Sequence, residues 1–219
     1  MPALRRVAPP PLDLYVILDR QAAAGRDLEA LAEAVLAGGA RWIQLREKEW
    51  TTRALLPLAE ALRRKVQAAG GVFIVNDRLD VALAVEADGL HVGQDDLPAP
   101  VARRLLPDRL LGISTHSPEQ AVQAQADGAD YVAIGAIFPT ATKAAFELVG
   151  LEAIRRARPL VSAPLVAIGG ITPERVREVI EAGADAVAVI SAIGAAEDPA
   201  RATAAFLAEL RAARRPGKA

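Results

Sequence analysis

Short runs of apolar, often β-branched residues recur along the chain, separated by longer stretches rich in Ala, Leu, Glu and Arg. The short runs predict strands at Leu14–Leu18, Trp42–Leu45, Val72–Val75, Gly89–Val92, Leu111–Ser114, Tyr131–Gly135, Leu165–Ile168 and Ala186–Ile190. The longer stretches predict helices at Leu28–Ala37, Thr52–Ala69, Val81–Glu86, Pro98–Leu106, Pro118–Ala126, Leu151–Ala157, Pro173–Glu181 and Pro199–Arg211. Thr172-Pro173-Glu174 and Ser117-Pro118-Glu119 each offer an N-cap, a proline at the first helical position and an acid in the first turn, with Asp198-Pro199 similar.

Strands that are apolar throughout are buried on both faces, as in a parallel sheet covered by helices. Eight such β/α units in 219 residues predict a single-domain (β/α)8 TIM barrel. The barrel covers about residues 14–213, with Met1–Pro11 and Arg214–Ala219 as loosely ordered tails. An open doubly wound sheet lacks support, because no G-x-G-x-x-G follows the first strand. The segments Ala37–Trp42, Ala126–Tyr131 and Ala182–Ala186 repeat a Gly-containing junction between a helix end and a new strand. Such junctions lie at the bottom of a barrel, so these residues are assigned to stability.

Composition refines this picture. Hydrophobic residues make up 52% of the chain and aromatic ones only 4%, which predicts a largely aliphatic core. The net charge of −1 gives no bulk reason to expect a nucleic-acid or membrane partner, so any anion must be held by local groups. The absence of cysteine excludes disulfides, thiolate metal sites and Cys nucleophiles, and fits a reducing cytoplasm. Charged residues or Gly interrupt every apolar run short of a membrane span, and no apolar h-region follows Arg5 and Arg6, so no signal peptide is expected.

Active sites of (β/α)8 barrels form at the C-terminal ends of the strands. Strand two ends in Gln44-Leu45-Arg46-Glu47-Lys48, where alternation turns Gln44, Arg46 and Lys48 to one side. Arg and Lys suit phosphate oxygens, although a solvated charged turn with Glu47 in an ion pair explains the run alone. Strand three leads to Asn76-Asp77-Arg78 and Asp80. Asp77 is either a Mg²⁺ ligand or the cap of the next helix. Strand four leads from His91 to Gly93-Gln94-Asp95-Asp96, with Asp96 a second candidate ligand and Asp95 its competitor. His91 reads as a hydrogen-bonded barrel histidine rather than a base.

Strand five ends in Ser114-Thr115-His116. Ser114 is a donor for phosphate, no nucleophile with its base is visible, and His116 is either functional or a backbone cap. After strand six, Phe138-Pro139-Thr140-Ala141-Thr142-Lys143 offers hydroxyls and a cation. Gly169-Gly170-Ile171 after strand seven and Ile190-Ser191-Ala192 after strand eight lie where barrels often bind phosphate, beside a short helix N-terminus. Together these residues point to a phosphorylated substrate with Mg²⁺. No lysine lies within a strand, which disfavours Schiff-base chemistry.

In this order and spacing, the motifs resemble the thiamine-phosphate synthases. The match is carried by Gln44–Lys48, Asn76–Arg78 with Asp80, Ala87–Asp96, Gly112–His116, Phe138–Lys143, Ala167–Ile171 and Val189–Ile193, and it spans about Leu14 to Leu210. The resemblance implies a transferase joining a hydroxymethylpyrimidine diphosphate to a thiazole phosphate, releasing pyrophosphate. It implies that Gln44, Leu45, Arg46, Glu47, Lys48, Asn76, Ser114 and Lys143 hold the pyrimidine diphosphate. Thr140, Ala141, Thr142, Gly170, Ile190 and Ser191 surround the thiazole phosphate, and Asp77 and Asp96 hold one Mg²⁺. Arg46, Lys48 and Lys143 are the implied catalytic cations. They neutralise the departing pyrophosphate before the thiazole nitrogen captures the pyrimidine carbocation.

Two departures stand out. Gly135-Ala136 replaces the family's usual Gly-Pro, and Ala144–Val149 is unusually apolar for what is expected to be a mobile loop over the site. The alternatives are a thiazole tautomerase of the same fold and a non-catalytic thiazole-phosphate binding protein. Both are disfavoured by the Gln44, Arg46, Lys48, Asp77, Asp96 and Lys143 set. Homo-oligomerisation is left open.

Overall fold

The computed structural model describes residues 9–140 and 148–214. Eight parallel strands close into a barrel in sequence order. They are β1 (Leu14–Asp19), β2 (Trp42–Arg46), β3 (Val72–Asn76), β4 (Gly89–Val92), β5 (Leu110–Thr115), β6 (Tyr131–Ile134), β7 (Leu165–Ile168) and β8 (Ala186–Val189). Pairing of Leu14 with Val187 and of Val16 with Val189 closes the ring. The intervening helices are α1 (Leu28–Ala37), α2 (Thr52–Ala68), α3 (Leu79–Ala84), α4 (Ala99–Leu105), α5 (Pro118–Ala126), α6 (Gly150–Ala157), α7 (Val176–Glu181), α8 (Ser191–Gly194) and α9 (Pro199–Arg214). No helix among the described residues is long and apolar enough to cross a membrane.

The eight predicted strands are all present, each end within one residue of the prediction. The predicted helix Pro173–Glu181 divides into a 3₁₀ turn, Pro173–Arg175, and α7. The Thr172 hydroxyl bonds the Glu174 carboxylate and does not cap the backbone. The first turn therefore closes by the shorter bond from Arg175 N to Thr172 O. Ser117 and Asp198 do accept from backbone N–H groups in the first turns of their helices.

Alternation along the strands sorts the core into two layers. Val16, Leu18, Ile43, Leu45, Phe73 and Val75 face the helices in one cluster with Leu31, Leu55 and Leu62. Tyr15, Ile17, Trp42, Ile74, Tyr131 and Ala133 form a second cluster inside the barrel. The aliphatic expectation thus holds for most of the outer layer, which also takes Phe73 and Phe206, whereas Tyr15, Trp42 and Tyr131 lie inside. The rings of Tyr15, Trp42 and Tyr131 meet edge to face with centroids 5.7–6.0 Å apart. Such pairs add about 0.5–1.5 kcal/mol each beyond area burial.

The bottom junctions are pinned by three carboxylates. Asp88, Asp130 and Asp185 immediately precede β4, β6 and β8. Each accepts the backbone N–H of a residue opening the previous strand, respectively Phe73, Leu111 and Leu165, at 2.7–2.9 Å. The N–H of each aspartate returns a bond to the carbonyl of that same residue. Gly128 and Gly183, beside two of these aspartates, take positive φ values of 91° and 111° that a side chain would strain.

Candidate active site

A cavity of about 490 Å³ opens at the C-terminal ends of the strands. Gln44 and Arg46 from β2, Asn76 from β3, His91 from β4 and Ser114 from β5 line one part of it. Thr140, Gly170, Ile190 and Ser191 line the part beyond β6, β7 and β8. In the closed strand order β3 and β7 are four strands apart, so these two groups face each other across the barrel. Ser191 begins the short helix α8, at the place expected for a phosphate-binding helix start.

The charged run after β2 splits three ways. Arg46 pairs with Asp19, whose side chain is buried at the end of β1. Glu47 points elsewhere: it accepts from Arg20 at 2.7 Å and from the Glu49 N–H at 2.7 Å. Burial would raise its pKa, but these bonds outweigh burial and hold it below the ordinary carboxylate value. Lys48 meets Asp77 at 2.9 Å. The Leu45 side chain lies in the layer between barrel and helices. The side chains of Leu45 and Glu47 therefore do not reach the cavity, because strand alternation turns them outward.

Asp77, Asp96 and Lys48 form a polar group just outside the cavity lining. Asp77 has a left-handed backbone, φ 58°, and its side chain does not cap α3, which begins without any side-chain cap. Its carboxyl meets that of Asp96, which also accepts from Gly93 N–H at 2.8 Å. Burial and the neighbouring Asp96 raise the pKa of Asp77, with Lys48 opposing them. Two carboxylates brought together in this way fit a divalent cation. No cluster of three or more His, Cys, Asp or Glu ligands exists among the described residues. That donor set suits Mg²⁺, which takes one or two carboxylates and completes its shell with substrate phosphate and water.

His91 is hydrogen-bonded on both ring nitrogens, to the Tyr131 hydroxyl at 3.1 Å and to Ser114 Oγ at 2.8 Å. His116 lines the cavity, and its Nδ1 lies 2.6 Å from the Gly135 carbonyl. The Gly135–Ala136 peptide is cis. Ala141, Thr142, Lys143 and most of the apolar segment 144–149 lie outside the described residues. Of that segment, Leu148 is exposed and the Val149 N–H donates to the Ala136 carbonyl at 2.9 Å.

Three groups near the cavity escaped the sequence reading. Asp19 is the last residue of β1, directly after the expected run Leu14–Leu18, so the pattern at the other strand ends marks it too. Arg175 lines the cavity, donates to the Gly170 carbonyl at 2.9 Å and lies over the Phe138 ring at 4.4 Å. Its place in a helix start gave no sign of this. Tyr15 and Tyr131 lie below the cavity, at inward strand positions that an all-apolar pattern does not mark.

Residues 14–193 match a family model described as thiamine monophosphate synthase. A thiamine-phosphate synthase from Moorella thermoacetica is 53% identical over 195 residues, 88% of this chain and 93% of the relative. One from Chloroflexus aurantiacus is 50% identical over 84% of this chain and 86% of the relative. Among solved structures, a thiamine phosphate pyrophosphorylase from Pyrococcus furiosus superposes with a TM-score of 0.86 at 39% identity. That alignment covers 93% of this chain and 97% of the other.

Proposed function

The chain belongs to the thiamine monophosphate synthase family, and we propose that it couples a hydroxymethylpyrimidine diphosphate to a thiazole phosphate across the cavity at the barrel rim. The family reaction is a transfer that makes thiamine phosphate. The observation that carries the assignment of its two ends is the division of the cavity. Arg46, Asn76 and Ser114 stand on one side, while Thr140, Gly170, Ile190 and Ser191 stand on the other. A volume of about 490 Å³ lies within the range of cavities that enclose small organic ligands.

The diphosphate lies toward Arg46, Lys48, Asn76 and Ser114. Asp77 and Asp96 would hold Mg²⁺, which would supply charge neutralisation for the diphosphate. The methylene carbon–oxygen bond breaks with its electron pair leaving on pyrophosphate. Arg46, Lys48 and Lys143 stabilise that developing charge. The electron-rich aminopyrimidine supports the cationic carbon, and the thiazole nitrogen lone pair forms the new carbon–nitrogen bond. No proton is transferred, which agrees with a site whose buried histidine is held by Tyr131 and Ser114 rather than aimed as a base. The glycine turn after β7 and the start of α8 hold the thiazole phosphate, leaving the ring nitrogen directed at the reacting carbon.

The test is pyrophosphate release by the purified protein with both substrates and Mg²⁺. Equal amounts of pyrophosphate and thiamine phosphate, abolished by EDTA and restored by excess Mg²⁺, are expected. Folded protein that releases neither product overturns the proposal.

A further inference from the structure

A continuous line of hydrogen bonds runs through the barrel from Gln44 to Ser114. Gln44 Nε2 donates to the Tyr15 hydroxyl at 2.6 Å, and the Tyr15 and Tyr131 hydroxyls are 2.8 Å apart. Tyr131 meets His91 Nδ1 at 3.1 Å, and His91 Nε2 meets Ser114 Oγ at 2.8 Å. Both tyrosines are 1% exposed, and neither lines the cavity. Gly112 makes the room: a Cβ there would overlap both the Tyr131 ring and His91 Nδ1.

Proton counting gives this line a direction. Burial raises both phenols far above their ordinary value near 10, so each keeps a proton that needs an acceptor. The Gln44 amide nitrogen only donates, so the Tyr15 oxygen accepts there. Among the described residues Tyr15 has one other hydrogen-bond partner, Tyr131, and its proton goes to that oxygen. Tyr131 then passes its own proton to His91 Nδ1. A neutral imidazole with Nδ1 accepting carries its proton on Nε2, and that N–H donates to Ser114 Oγ. The serine's own proton is left for the cavity. The reversed line would commit that proton to His91 and turn oxygen lone pairs toward an anionic ligand.

We propose that Tyr15, Tyr131 and His91 form a one-way hydrogen-bond chain that makes Ser114 a donor toward the diphosphate substrate, with the two tyrosines acting as positioning residues. The proposal rests on the substrate-binding role given to Ser114 above.

The chain holds only two histidines, so a long-range ¹H–¹⁵N spectrum of histidine-labelled protein reads the tautomer directly. His116 is an internal reference of the opposite kind, since its Nδ1 must donate to the Gly135 carbonyl. His91 is expected as the Nε2–H tautomer in the wild type, and Tyr131→Phe is expected to remove that preference. Ser114→Ala and Tyr131→Phe should each raise KM for the pyrimidine diphosphate about tenfold. In the double variant Tyr131→Phe should add nothing further, an outcome that a purely structural role would not produce. An Nδ1–H tautomer at His91, or additive KM effects, overturns the chain even where Ser114→Ala impairs binding. An unchanged KM in Ser114→Ala overturns the role of Ser114 itself, whichever tautomer is found.

Discussion

The Arg46 guanidinium is held by the buried carboxylate of Asp19, so the end of β1 sets where the cation of β2 stands over the cavity. Asp19 also accepts from the backbone N–H groups of Gln21 and Ala22 through Oδ1. Asp19→Asn keeps an oxygen for those turn bonds and removes the charge that fixes Arg46. Its kcat is expected to fall about tenfold or more, since small displacements of a positioned group cost rate steeply. The melting temperature should fall by only a few degrees. Wild-type kcat alongside a large loss of stability would mean that Asp19 serves the turn alone.

Asp77 separates catalysis from stability in the opposite sense. Asn tolerates the left-handed backbone at this position, where Ala is strained, so Asp77→Asn is the informative variant. It removes one member of the Asp77–Asp96 pair and with it part of a like-charge repulsion. Turnover with Mg²⁺ is expected to drop about 100-fold or more, a loss of about 2.7 kcal/mol of transition-state stabilisation. The metal-free protein should melt at the wild-type temperature or above it. A clear destabilisation without loss of turnover contradicts the metal-holding role.

Both tyrosines of the chain are buried, which makes its alkaline behaviour unusually simple. Burial raises the folded-state pKa of each above the unfolded value near 10. Below pH 10 both states keep the two phenolic protons, and this contribution to stability is fully present. Above pH 10 the unfolded chain sheds them while the native protein does not, so stability falls as pH rises toward the folded values. Absorbance at 295 nm should therefore stay flat in the native protein until it unfolds, then rise for both tyrosines together. In guanidinium the same rise should centre near pH 10. A native tyrosine titrating near 10 would place it in water.

Much of this architecture is legible in the chain because a parallel barrel repeats one local pattern eight times. Gln44, Arg46, Asn76, Ser114, Thr140, Gly170, Ile190 and Ser191 line the cavity because each sits at or just beyond the end of an apolar run. What the pattern hides is parity. On β2 the polar Gln44 and Arg46 mark Trp42 as inward and Leu45 as outward, but when both faces of a strand are apolar nothing marks Tyr15 and Tyr131 as inward. Contacts between neighbouring strand ends are hidden for a related reason. The pairing of Lys48 with Asp77, and of Glu47 with Arg20 rather than with a cation in its own run, depends on how adjacent loops leave the barrel.

The three aspartates at the base have a consequence for how the molecule is divided. Asp88, Asp130 and Asp185 each exchange two bonds with one residue of the strand before, so each closes a β–α–β segment on itself. The clasps therefore tie β3 to β4, β5 to β6 and β7 to β8 as clasped modules, with α4 and α6 as the seams that no clasp spans. A nick in the turn between Leu106 and Arg109 falls on a seam and spares all three clasps. A nick in α3, α5 or α7 opens a module from within.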